Sequence, residues 1–474
     1  MNTLKKPCLF CIPFEGKWII YRPLLHAAFI GNHTMAELTE HCLRYPDSEV
    51  PQEHVEACGF LKDIGFLEPD PPPPAQTDFK FSPDAAVLLL TNRCNLRCTY
   101  CYAEAGDKAL EDMPLELALR AIDIAAENAK NNDRSFFQLV FHGGGEPPQH
   151  WDVFRKAVDY AESKSHKCSI SMSSNGVWSK EQRAFILEHL NGVSLSFDGT
   201  REVQDAQRPT AEGGSSFKAV MTSINKMDEN KFPYNIRMTI TNSFLEKLPE
   251  CIQFFCEETG CRNFQIEPAF GSGREGWVNP TPEIADRFIS AFAAAMDVAE
   301  SYQSDLTYSG ARPWMTVCSF CSAAESALVL RPDAGIVACY EVTDASHLLA
   351  DVFTIGRLGP NGMIIDEGAR ENLNLMRQER LALCKDCFCV WHCGGDCSSR
   401  CFSPGGKGHL RFEERCRINR ELSKELLARY IERSGVVWRS RIEVTDENSD
   451  FPGEPAVDKQ RRKNDETSRN TEQH

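Results

Sequence analysis

The sequence predicts an α/β protein in which six β-α units follow one another, giving a parallel sheet with helices outside, either a partial barrel or an open doubly wound sheet. Three observations carry this. Between residues 85 and 305, short apolar runs alternate with amphipathic helical stretches. The segments richest in Cys, Gly, Asn, Ser and Asp fall directly after the apolar runs, at the end where right-handed β-α units build their sites. Cysteines gather after the first of these runs and again between 318 and 416.

Composition bounds the function classes. The 474 residues suffice for several domains with a sizeable core. With 52 Lys+Arg against 68 Asp+Glu the formal charge is −16, which argues against nonspecific binding to nucleic acid or to anionic membrane. No apolar run reaches the roughly 18 residues needed to cross a bilayer, and the N-terminus lacks the apolar stretch of a secretory signal. A cytoplasmic protein with neither membrane nor nucleic acid as partner is therefore expected. In that reducing compartment 21 cysteines, an odd number, are expected as metal ligands rather than disulfides.

Residues 1–68 read as a small module. KWIIYRPLLHAAFIGN (17–32) suggests a β-hairpin, TMAELTEHCLRY (34–45) an amphipathic helix, and EHVEACGFLKDIGFL (53–67) a second helix running into a short strand. Cys8 and Cys11 have no second pair nearby and are expected as free thiols. PDPPPPAQTDFKFSPD (69–84) is a proline-rich linker. Strands are expected at 85–91, 136–141, 168–173, 192–197, 234–241 and 263–268, with helices such as 115–130 and 181–190 between them, completing a domain over 85–305. A cysteine-rich domain at 306–425 and an extension at 426–446 follow. The polar, Pro/Gly-broken tail at 447–474 is expected to be disordered.

The strand ends carry the chemistry: TNRCNLRCTYC follows the first strand, HGGGEP the second, SNG the third and DG the fourth. Cys94, Cys98 and Cys101 form C-x3-C-x2-C. Three thiolates on one short loop can bind three irons of a [4Fe–4S] cluster and leave the fourth open, whereas a structural zinc wants a fourth close ligand. This loop, with the aromatic Tyr100 before its last cysteine, resembles the signature of the radical S-adenosylmethionine (SAM) superfamily. The resemblance implies a partial (β/α)6 radical SAM barrel, a cluster whose open iron chelates SAM, and reductive cleavage of SAM to a 5′-deoxyadenosyl radical. It places Tyr100 in the signature's aromatic position at the cofactor site, and Gly143, Gly144, Gly145 and Glu146 at the methionyl ammonium. It puts Ser173 and Asn175 at the ribose, and Ser196, Asp198 and Arg208 in a run that helps hold the methionyl part, with Ser196 and Arg208 near its carboxylate. His142, before the glycines, reads as a structural histidine rather than a catalytic one.

Cys384, Cys387, Cys393 and Cys397 read C-x2-C-x5-C-x3-C, followed by Cys416 and preceded by Cys318, Cys321 and Cys339. This resembles the SPASM extension of radical enzymes that modify peptides. Counting back from Cys339 places Ala334 at the family's glycine, with Gly335 one place late, so a shifted turn is expected. The resemblance implies auxiliary cluster I on Cys318, Cys321, Cys339 and Cys397, and auxiliary cluster II on Cys384, Cys387, Cys393 and Cys416. Cys389 and Cys401 are left over, as alternate ligands or, the favoured reading, as bystanders. Two zinc ions on these eight thiolates are the alternative, but zinc leaves the first-strand triad and the glycine-rich turn unexplained.

The implied function is a maturase with three [4Fe–4S] clusters that modifies a ribosomally made peptide or protein, by oxidative crosslinking through a thioether or a carbon–carbon bond. A flavodoxin- or ferredoxin-type donor would supply electrons. Sulfatase-maturing members carry a catalytic Asp directly after the cysteine matching Cys339; here Tyr340 and Glu341 follow, with Glu341 expected on the opposite side of an extended chain. The N-terminal module resembles the winged-helix recognition element of peptide-maturing enzymes, to which a leader peptide adds a strand. Competing readings are a peptide epimerase, a thioether maturase of an amine dehydrogenase subunit, a non-enzymatic iron–sulfur electron carrier and a zinc-binding scaffold.

Overall fold

The computed structural model describes residues 8–74, 80–269, 273–274, 280–321, 323, 326–401 and 413–440. The chain forms two compact units, one of Met1–Pro73, Arg312–Thr316 and Leu426–His474, the other of Pro74–Ala311 and Val317–Glu425. The expected disordered tail and residues 75–79 of the expected linker lie outside the described residues. Among those described, no helix is long and apolar enough to cross a membrane.

In the first unit, β1 (Phe10–Phe14) and β2 (Lys17–Arg22) form a hairpin closed by Glu15 and Gly16, both at positive φ, the turn whose twist matches that of the strands. β3 (Ala27–Gly31) pairs antiparallel with β2. The outer edge of β3 is taken by a strand from the far end of the chain, Val437–Arg439. The opposite edge strand, β1, contains Pro13, which has no N–H to offer a further strand. Helices α1 (His33–Arg44), capped by the Asn32 side chain, and α2 (Val55–Asp63) belong to the same unit. Ile20, Phe29, Leu61 and Phe66 form its core.

The strand expected after the second helix is absent, and residues 64–67 are turns. Gly65 at φ +60 breaks the extension, and the buried Arg22 guanidinium donates to the Phe66 and Glu68 carbonyls in place of a strand neighbour.

In the second unit, β4 (Ala85–Leu88), α3 (Leu115–Asn131), β5 (Phe137–Phe141), α4 (Trp151–Glu162), β6 (Cys168–Ser174), α5 (Lys180–His189) and β7 (Gly192–Ser196) follow one another. Then come α6 (Arg201–Gln207), α7 (Phe217–Glu229), β8 (Tyr234–Ile240), α8 (Leu248–Glu258), β9 (Asn263–Pro268), α9 (Pro282–Ser301) and β10 (Asp305–Thr307). All six expected strands form. Strands β4 to β10 lie in sequence order and pair in parallel, so every crossover steps the same way. A doubly wound sheet would reverse its order, so this is the partial barrel.

Four strands absent from the sequence reading extend the sheet beyond β4: β11 (Ala327–Leu330), β12 (Gly335–Val337), β13 (Thr354–Gly359) and β14 (Gly362–Ile365). Helices α10 (Ala350–Phe353), α11 (Glu367–Leu383) and α12 (Val390–Cys393) lie within the cysteine-rich region, and α13 (Glu413–Ser434), which carries Cys416, leads out of it. Within the expected linker, Phe81 is buried, with the Arg370 guanidinium 5.2 Å from its ring centre, so that end is packed rather than free.

A parallel sheet covered on both faces reads as continuous apolar runs. Here β6 to β9 alternate. Ile170, Met172, Leu195, Ile236, Met238 and Ile266 are buried, while Ser173, Ser196, Arg237, Thr239 and Glu267 face a cavity.

Candidate functional site

The ends of these strands open into a cavity of ≈ 430 Å³. Of the ten residues expected at the cofactor, nine line it, Tyr100, Gly143 to Glu146, Ser173, Asn175, Ser196 and Arg208, together with Cys94, Cys98 and Cys101, while Asp198 lies buried behind the wall. Of the C-terminal cysteines, Cys321, Cys339 and Cys397 line it as well.

The cysteine loop is held by backbone bonds to the segment after α6: Arg97 N donates to Pro209 O at 2.8 Å and Thr99 N to Gln207 O at 2.9 Å. On the other side Arg274 N donates to Cys101 O at 3.1 Å, and its guanidinium reaches Cys98 O. Burial pushes the Cys94 thiol up to about 12, with Glu146 and the two companion cysteines adding to it, and Cys98 up to about 11. Both are protonated in the metal-free chain, so cluster assembly must release protons. Among the described residues no three His, Cys, Asp or Glu side chains are placed to hold a single metal ion.

The glycine turn is shaped first by that loop. Gly144 has φ +84, and a Cβ on Gly145 would lie 2.2 Å from Arg93 O, whose carbonyl accepts from Glu146 N at 2.8 Å. The Glu146 carboxylate is buried. Its Oε1 accepts from Ser174 Oγ and from Trp178 Nε1 (3.4 Å), its Oε2 only from Asn175 N (2.9 Å). Oε2 therefore keeps capacity for one further donor. Burial raises this carboxyl to about 7. The Asn175 amide donates to Asn95 Oδ1 at 2.8 Å and to Cys94 Sγ at 3.8 Å, bracing the cysteine loop, while Ser173 and Ser196 present hydroxyls to the cavity.

Tyr100, Asp198 and Arg208 form a buried network. The Tyr100 hydroxyl donates to Asp198 Oδ2 at 2.6 Å, and Arg208 Nη1 donates to the Tyr100 oxygen at 2.5 Å. Asp198 also accepts from Gln207 Nε2 and Thr239 N. Burial raises its carboxyl, against the pull of Arg208. Arg208 Nε is buried with no partner, in a side chain that lines the cavity. Three thiols, a spare carboxylate lone pair and an unpaired guanidinium N–H around one space fit a thiolate-bound cluster with an amino acid group beside it.

At the other wall, the expected turn shift does not occur. Ala334 itself takes φ +69 between β11 and β12, and Gly335 packs beneath the Arg331 guanidinium. The segment after Cys339 is a turn, with Val342 N donating to Cys339 O at 3.3 Å, so it is not the extended chain expected. Glu341 consequently lines the same cavity and pairs with Arg400. Tyr340 stacks on His142 at 4.6 Å between ring centres. Burial, with help from Arg237, lowers His142 to about 3, so it stays neutral.

Cys339 interacts with Cys397 and Cys321, three of the four thiols implied for auxiliary cluster I; Cys318 stands outside the cavity lining. Cys387 and Cys393 interact with the buried Cys389, while Cys384 precedes α12 and Cys416 lies on α13. The Cys401 side chain lies outside the described residues.

Sequence reasoning missed Ser174 and Trp178, which hold Glu146, and Arg274, which clamps the cysteine loop. The Gly273-Arg274 pair after β9 was the available signal, the same kind of strand-end glycine that marked the other sites. Arg237 and Glu267 were legible as the polar members of alternating strands.

Residues 88–255 match the Radical SAM superfamily. The chain is 31% identical over 171 residues to the uncharacterized protein MJ0907 of Methanocaldococcus jannaschii, covering 35% of this chain and 57% of that one. It is 26% identical over 171 residues to a cysteine-type anaerobic sulfatase-maturating enzyme of Clostridium novyi, covering 35% and 46%. The chain thus spans about half the length of these curated relatives. Two solved structures share the fold. One is anSMEcpe with bound AdoMet and a peptide, at TM-score 0.57, 20% identity and 74% and 98% coverage of the two chains. The other is Streptococcus suis SuiB bound to the precursor peptide SuiA, at TM-score 0.52, 13% identity and 87% and 99% coverage. With the cysteine triad at the head of the partial barrel, residues 88–255 are a radical SAM superfamily domain.

Proposed function

We propose that this protein is a radical SAM maturase that modifies a ribosomally made peptide or protein by oxidative crosslinking. The observation that carries the reading is the shared cavity: the triad thiols and three C-terminal cysteines face the same space from its two walls. When bound, a [4Fe–4S] cluster and SAM would supply a 5′-deoxyadenosyl radical able to abstract hydrogen from a substrate held there.

The chain's residues do the holding. Cys94, Cys98 and Cys101 would ligate the cluster. Glu146 Oε2 would accept from the methionyl ammonium, and Arg208 Nε would donate to the carboxylate. Ser173 and Ser196 would take hydroxyl contacts, and Arg274 with Asn175 would keep the loop in place. The cysteines of residues 318–416 would carry auxiliary clusters I and II. Relatives and structural neighbours named for maturation or bound to peptides support a peptide or protein substrate. The position after Cys339, an Asp in sulfatase-maturing members, holds Tyr340, which stacks on His142 and offers no carboxylate, and this counts against formylglycine formation. A leader strand would add to the N-terminal sheet, whose edge strands are β1, which contains Pro13, and Val437–Arg439.

Anaerobic reconstitution should give about 12 iron per chain. Dithionite should then drive cleavage of SAM to 5′-deoxyadenosine and methionine, and Cys94, Cys98 and Cys101 changed together to Ala should lose about 4 iron and all cleavage. About two zinc ions and negligible iron in protein purified without oxygen would sink the reading. Mass spectrometry of a precursor encoded nearby separates the products. Crosslinking removes two hydrogens, whereas epimerisation leaves the mass unchanged.

A further inference from the structure

Asn419 lies on α13 three residues after Cys416, on the same helix face. It is 2% exposed. Its Nδ2 donates to Cys393 Sγ at 3.4 Å, and its backbone carbonyl accepts from Cys389 Sγ at 3.9 Å. The amide is fixed from the barrel side, because the buried Tyr308 hydroxyl donates to Oδ1 at 2.9 Å. Gly310 presses on the same oxygen, where a Cβ would stand only 2.1 Å away. The reversed amide would set a carbonyl oxygen against the Cys393 sulfur, two acceptors face to face once that sulfur is a thiolate. The N–H is therefore the group presented to it. The comparable Asn175 contact to Cys94 is longer, 3.8 Å, and its nitrogen is shared with Asn95.

We infer that Asn419 is a positioning residue for auxiliary cluster II, whose N–H···S bond to Cys393 raises that cluster's reduction potential. The inference rests on the proposed assignment of Cys384, Cys387, Cys393 and Cys416 to one cluster. Reduction adds negative charge that spreads onto the ligating sulfurs, so a donor aimed at one of them stabilises the reduced form more than the oxidised form. Burial removes competing water, and Tyr308 and Gly310 keep the donor from turning away.

The test is an EPR-monitored redox titration of the full-length, anaerobically reconstituted protein without SAM or substrate. With iron held at about 12 per chain, Asn419→Leu should lower the midpoint potential of one cluster and leave the other two in place. Tyr308→Phe keeps the amide but frees its orientation, and should lower the same potential by less. An iron-replete Asn419→Leu protein with three unchanged potentials would overturn the inference. Should that variant load iron poorly, an unshifted, iron-replete Tyr308→Phe protein overturns it instead. A different result, Cys393→Ala losing no iron, removes the cluster assignment itself.

Discussion

In the N-terminal unit, four successive residues of β2, Ile19, Ile20, Tyr21 and Arg22, are all buried, so both faces of that strand are closed. In the barrel, β6 to β9 bury every second residue and leave the alternate ones, Ser173, Ser196, Arg237, Thr239 and Glu267, to a cavity. Each unit also buries an arginine with an unpartnered Nε, Arg22 in one and Arg208 in the other. An orphan N–H is thus no mark of a site by itself. Arg22 gives its Nη atoms to Phe66 O, Glu68 O and Asp70 and stitches the chain to its own sheet. Arg208 stands in the wall of a space large enough for a ligand.

Replacing the two arginines sharpens the contrast. Arg22→Leu takes the donor from two carbonyls and from Asp70 Oδ1 and should cost the N-terminal unit about 3 kcal/mol, read as an earlier unfolding transition with iron content unchanged. An unaltered transition would show that Arg22 is not the stitch. Arg208→Lys keeps a charge beside Asp198 but has no Nε. Apparent SAM affinity should fall about tenfold with iron and thermal stability retained. Equal loss of stability in both variants would erase the distinction.

A smaller effect follows from Glu146. Burial raises its folded-state value to about 7, so the folded protein binds this proton more tightly than the unfolded chain does. That contribution to stability is complete below the ordinary carboxyl range and is lost as pH rises through about 7. The ionised form is the one that accepts an ammonium, so SAM affinity should run the other way and increase as pH rises through about 7. Titration calorimetry between these limits should show that rise in the native protein and a flat profile in Glu146→Gln. Smallest is the hairpin at Ala334, held at φ +69 without a glycine's freedom. Ala334→Gly should stabilise the second unit by about 1 kcal/mol, measured by chemical denaturation. A loss of stability would mean that the methyl group packs usefully there.

The sequence by itself determined the six β-α units, because period-two and period-3.6 patterns follow from how side chains leave strands and helices. It also singled out segments that share one space: the triad, the glycine turn with Glu146, and Ser173 and Ser196 of β6 and β7 all line the same cavity. Tertiary structure decided what each residue is bonded to. Asn175 braces Asn95, Ser174 and Trp178 hold Glu146, and Glu341 reaches the cavity because the chain turns after Cys339. It also decided that Val437–Arg439 closes the sheet begun some four hundred residues earlier, a pairing across the whole chain. Local pattern fixes which face a residue takes, but hydrogen-bond partners and strand neighbours depend on contacts between segments distant in sequence, and only the folded chain selects among them.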